Sequence, residues 1–133
     1  MSPVVWLRIA AALGALGVTL GAFGAHGLKE KLVSNGQLLS YETAAQYQMY
    51  HVAALLAVGL LGAVGRGGPS LQLAGWSFLV GILIFSGSLY ALSLTGFRWL
   101  GAITPIGGTF LILGWILLAV AAGTAGRGVA VEV

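Results

Sequence analysis

Cysteine is absent, and so is aspartate; the only acids are Glu30, Glu42 and Glu132. Without thiols the chain can form no disulfide, no thiolate metal site and no cysteine nucleophile. Cysteine usage therefore leaves the redox compartment open. The acids fall in loops, first turns or the tail. That leaves no membrane-embedded carboxylate of the kind a proton-coupled four-helix exporter needs. No acid is placed to orient His51 beside a serine, which excludes a hydrolase triad. Charged residues make up only 7%, against about 25% in soluble domains, too few to cover a soluble surface. Six Lys/Arg spread along the chain leave a net charge of +3. The pI of 9.7 reflects scarce acids rather than a basic face, so nucleic acid is not an expected partner. No phosphate loop or dinucleotide fingerprint occurs; the many glycines lie in apolar runs.

What is present is apolar. Hydrophobic residues reach 59% and the mean hydropathy is +1.01. Four runs dominate, at about residues 4–24, 41–64, 71–94 and 101–122. Each reaches the ~20 residues that a helix needs to cross a ~30 Å hydrocarbon core. The expected fold is all-α: a four-helix transmembrane bundle with a short interfacial amphipathic helix between spans 1 and 2. Residues 1–133 form a single integral-membrane domain, and the lipid bilayer is its first partner. The first run lacks a basic n-region and exceeds the ~7–15 residues of a signal-peptide core, so it is read as a span. Arg8 lies about one turn inside it and can snorkel to the interface.

Span 1 carries Gly14, Gly17, Gly21 and Gly24 on one helical face. Such a face admits a neighbouring backbone closely. Packing within the bundle is the first reading, and a homo-oligomer seam the other. In the connection 25–40, Leu28 and Leu32 flank Lys29, Glu30 and Lys31, an amphipathic pattern for the interface. Asn35-Gly36 breaks it, and Ser40 is the expected N-cap of span 2, with Glu42 in the first turn.

Span 2 poses a local problem. Its purely apolar part, residues 52–64, gives only about 20 Å of helix. The helix must therefore carry Tyr47, Gln48, Met49, Tyr50 and His51 into the membrane, with His51 about 10 Å inside one boundary. Tyr47, Gln48 and His51 share a face. On span 3, Ser86, Tyr90 and Ser93 form a polar stripe. Span 4 opens with Thr104-Pro105-Ile106-Gly107-Gly108, where Pro105 suits a first turn or a kink, and Trp115 adds bulk farther on. Residues 55–58 leading to Gly65-Arg66-Gly67 are echoed by 117–120 leading to Gly126-Arg127-Gly128, which fits either duplicated hairpins or apolar low complexity.

Threading alternates the helices, so one pole collects most polar residues. The candidate ligand-binding residues are Tyr47, Gln48, His51, Ser86, Tyr90, Ser93 and His26. Intramembrane ionisable residues are functional candidates by default; the plainer reading is that His51 is structural glue across the bundle. The function this supports is a non-enzymatic protein binding a small amphipathic ligand, a lipid or a partner helix. An oligomeric transporter or channel is one alternative. A membrane enzyme, or a haem or metal protein using His26 and His51, is another. Two histidines without companion ligands are a weak signature, and no cofactor is expected. Lys29, Lys31 and Arg98 balance Arg8, Arg66 and Arg127, so the positive-inside rule leaves orientation undecided. Both termini in the cytoplasm is the working expectation.

Several polar-in-apolar blocks together carry a resemblance: Gly24-Ala25-His26-Gly27, Tyr47-Gln48-Met49-Tyr50-His51, Phe85-Ser86-Gly87-Ser88-Leu89-Tyr90, Thr104-Pro105-Ile106-Gly107-Gly108 and Gly114-Trp115. In this order they resemble the bacterial inner-membrane proteins of domain of unknown function 423, an uncharacterised protein family with a distant relative in transmembrane protein 256. The resemblance implies a small multi-pass protein of the bacterial cytoplasmic (inner) membrane. It carries no agreed activity, so no site residue follows from it.

Overall fold

A computed structural model describes residues 1–125. Arg127, Glu132 and the second Gly-Arg-Gly of the hairpin echo lie outside the described residues. The elements are α1 (Pro3–Ala25), α2 (Lys29–Ser34), α3 (Leu38–Ala63), α4 (Gly68–Thr95) and α5 (Leu100–Ala125), with no strand among the described residues. Three of these helices, α1, α4 and α5, are long and apolar enough to cross a membrane. At 26 residues α3 is equally long, about 39 Å, but its N-terminal half carries the polar block ending in His51.

Local chemistry accounts for the ends. The Ser2 hydroxyl accepts the Val5 N–H at 3.3 Å, and Pro3 occupies a first-turn position that needs no donor. His26 caps the other end of α1, its N–H bonding back to Ala22 and Phe23. After α2, Gly36 takes φ +66°, a left-handed conformation that glycine adopts without strain. The Gln37 N–H then reaches the Leu32 carbonyl at 2.9 Å, so α3 starts directly. Its cap is Gln37; Ser40 lies inside the first turn, because the tight Gly36 turn leaves no loop for a later start. Gly67, at φ +124°, makes the reversal into α4.

The helices pack in series, α1 on α3, α3 on α4 and α4 on α5, each pair antiparallel. Hydrophobic driving force is lost between helices in lipid, so close steric fit must hold such contacts. Small residues provide it. A Cβ on Gly17 would stand 2.6 Å from the Met49 sulfur, and one on Gly24 would overlap the Tyr41 ring. Gly14 sits in ordinary contact with Val52. Gly21 has no neighbour within 4 Å and does not share in that seam. The register that sets Gly17 on Gln48 and Gly24 on Tyr41 brings only the short Ala44 and Ala45 to its level. Across α4 and α5, Gly81 receives Leu111, Gly114 receives Phe78 and Gly107 lies against the Phe85 backbone. The core shared by α1, α3, α4 and α5 holds Trp6, Leu55, Val58, Phe78 and Leu111.

Candidate functional site

The polar residues of α3 divide between two sides of α4. On the side of α1, the Gln48 amide donates to the Leu13 carbonyl at 2.8 Å, and its oxygen accepts the Tyr90 hydroxyl at 2.8 Å. Ser86 donates to the Ala44 carbonyl at 2.7 Å. Ser93 donates to the Leu89 carbonyl of its own helix. Every donor here is used inside the bundle, and among the described residues no buried side-chain nitrogen or oxygen lacks a partner. In hydrocarbon an unpartnered group costs several kcal/mol, so such bonds fasten helices together. Gln48, Ser86 and Tyr90 thus tie α1, α3 and α4, around a small cavity of about 100 Å³, while Ser93 bonds only within α4 and does not line that cavity.

Tyr47 and His51 lie on the other side. Adjacent helical positions diverge by about 100°, so α4 separates Tyr47 from Gln48: Tyr47 stacks on Phe85, while Gln48 meets Tyr90. The seven candidate ligand-binding residues therefore do not share one site. What forms instead is a cleft of about 590 Å³ between α3 and α5, floored by α4. Its lining is Tyr47, Tyr50, His51, Phe85, Gly108, Leu111, Ile112 and Trp115.

The inner end of the cleft is closed by a short relay. His51 is 6% exposed, with Nδ1 2.6 Å from the Tyr47 carbonyl. The Trp115 Nε1–H donates to His51 Nε2 at 3.1 Å. An indole N–H can only donate, so Nε2 must carry the lone pair and Nδ1 the proton. The ring is the neutral Nδ1–H tautomer, held by partners at both nitrogens. Rings continue the contact: Trp115 meets Phe78 edge-on at 5.2 Å, and Tyr47 lies 4.7 Å from Phe85 and 5.9 Å from Tyr50 between centroids. The Tyr47 and Tyr50 hydroxyls, on side chains 40% and 54% exposed, have no partner among the described residues. The outer face of Trp115 remains open, the residue being 47% exposed.

His26 is remote from this cleft. It is exposed at the end of α1, beside a shallow groove that also includes Phe23 and Gly27. The α1–α3 register sets it near Leu39, roughly 18 Å along the axis from His51. Both nitrogens of His51 are occupied, and no group of three or more His or Glu that could hold a metal occurs among the described residues. The two-histidine haem or metal reading therefore finds no geometry to support it.

Sequence reasoning missed Trp115, Phe85 and Tyr50 as parts of the site. A signal existed for Trp115. A tryptophan at mid-helix needs an acceptor for its N–H, and His51 is the side-chain acceptor that lies at its depth.

Residues 20–108 match the family described as "Protein of unknown function (DUF423)". The chain is 47% identical over 117 residues to a UPF0382 membrane protein of Staphylococcus epidermidis, covering 88% of this chain and 93% of that one. It is 46% identical over 118 residues to the UPF0382 membrane protein YwdK of Bacillus subtilis, covering 89% and 95%. A Staphylococcus aureus relative, UPF0382 membrane protein SAB0533, is 49% identical over 113 residues, covering 82% and 90%. No solved structure matches. With that identity carried along nearly the full length of its relatives, the chain belongs to the DUF423 family of membrane proteins of unknown function.

Proposed function

We propose that this multi-pass protein of the bacterial cytoplasmic membrane is non-enzymatic and binds a small amphipathic molecule, taken from the bilayer, in the cleft between α3 and α5. The observation that carries the reading is the combination of an open 590 Å³ cleft with two unpartnered phenol hydroxyls on its wall. Ligand sites usually measure about 300–1,000 Å³, with apolar walls and a few polar groups that orient the ligand. Here Leu111 and Ile112 offer the apolar wall, while Tyr47 and Tyr50 offer the polar end.

The reading takes α3 as a fourth span. Its length exceeds the ~30 Å core by more than a turn, which leaves Glu42 outside the hydrocarbon. Gln48 and His51, deeper in, are fully hydrogen-bonded. Four spans place both termini on one side, which we assign to the cytoplasm. In this arrangement α2 lies at the opposite interface, with Leu32 buried against the bundle and Lys29 and Lys31 in the headgroups.

Native mass spectrometry from lipid nanodiscs tests the proposal. Wild type should carry a co-purifying mass. Gly108→Leu, which projects a side chain into the cleft from a position with room for it, should lose that mass and keep its fold. A mass retained equally in Gly108→Leu, or none in wild type, contradicts the proposal.

A further inference from the structure

Resting on the cleft as a ligand site, we infer the class of molecule it takes: a lipid-soluble quinone, a flat conjugated ring bearing carbonyl acceptors and an isoprenoid tail. Three observations point to it. The cleft's polar end is walled by rings, with Phe85 and Tyr47 stacked at 4.7 Å and Tyr50 beside them. Ring faces favour offset stacking on another π-system, a geometry that a saturated chain does not exploit. No charged side chain lines the cleft. A phosphate headgroup would be left without a cationic partner at membrane depth, and an ammonium without an anionic one, each at heavy cost.

The hydrogen bonds on offer complete the match. The nitrogens of His51 and Trp115 are already engaged with each other and with the Tyr47 carbonyl. What remains free is the pair of phenol O–H groups of Tyr47 and Tyr50, three residues apart on one face of α3. Two donors without a competing cation suit a neutral ligand with acceptor oxygens. The tail then follows Leu111 and Ile112 to the lipid, where Ile112 is largely exposed. The inference concerns binding alone.

The test titrates nanodisc-embedded protein with a 1,4-naphthoquinone bearing a two-isoprene tail, and in parallel with the tail-matched isoprenoid alcohol, which lacks the ring. Bound fraction is read by native mass spectrometry. The quinone should bind at least about tenfold more tightly than the alcohol, and the double variant Tyr47→Phe/Tyr50→Phe should lose about tenfold in quinone affinity. The double variant leaves no internal bond broken, so its melting temperature should match wild type. Equal binding of quinone and alcohol, both lost in Gly108→Leu, overturns the quinone inference and leaves the cleft as a ligand site. Binding of neither, or binding that survives Gly108→Leu, overturns both.

Discussion

Gly107 and Gly108 are neighbours on α5 that should respond to alanine in opposite ways. A Cβ at Gly107 would fall onto the Phe85 backbone nitrogen of α4, with the Phe85 Cα only 2.8 Å and Cβ 2.9 Å away. Ordinary contacts between carbon atoms lie at ~3.5–4.0 Å, so α4 and α5 must part by about 1 Å at that level. Backbone atoms cannot swing aside as a side-chain end can. Overpacking of this kind costs roughly 1–3 kcal/mol. The better helix propensity of alanine offsets about 1 kcal/mol, which leaves a net loss of up to roughly 2 kcal/mol for Gly107→Ala. At Gly108 the nearest atoms are those of the Phe85 ring, at 3.7 and 3.8 Å, an ordinary contact. Gly108→Ala therefore keeps the propensity gain and should be neutral or up to about 1 kcal/mol more stable. Reversible unfolding in mixed micelles, followed by far-ultraviolet circular dichroism, measures both. Equal stabilities for the two variants would refute the backbone contact between α4 and α5.

Two further predictions follow from the other contacts. Gln48→Leu removes the acceptor of the Tyr90 hydroxyl and the bond to the Leu13 carbonyl. It should cost about 1–2 kcal/mol in the same unfolding assay, and adding Tyr90→Phe should recover part of the loss. The absence of native cysteine makes single-cysteine labelling clean: with four spans, an impermeant thiol reagent should reach Ser2→Cys and Arg66→Cys from one side and Asn35→Cys and Arg98→Cys from the other. Labelling of Asn35→Cys and Arg66→Cys from the same side would show that α3 does not cross.

Much of the architecture is legible from the sequence because lipid imposes a simple length rule. The runs at 4–24, 71–94 and 101–122 each fall inside an apolar helix, α1, α4 and α5. The short apolar stretch 52–64 is correctly marked as too brief to stand alone, and α3 extends back through the polar block to Leu38. The site is legible only in part. Periodicity puts Tyr47, Gln48 and His51 on one face, but a face about 100° wide spans two neighbours. Which of those residues meets α1 and which meets α5 depends on how α4 docks. That docking is set by Gly81, Gly107 and Gly114, whose partners on the facing helix are long-range pairings. Trp115 was visible as bulk; its bond to His51 connects residues 64 positions apart. The place of His26 at the end of α1, away from the cleft, depends on the α1–α3 register, which its own sequence neighbourhood does not reveal.

The most direct test is a high-resolution structure of the protein in lipid nanodiscs. The account predicts an open cleft between α3 and α5, the Trp115–His51 bond at its inner end, and elongated density running from the Tyr47 and Tyr50 hydroxyls past Ile112 to the lipid. A bundle in which α5 closes on α3, with Trp115 filling the space and no density beside the tyrosines, would contradict it.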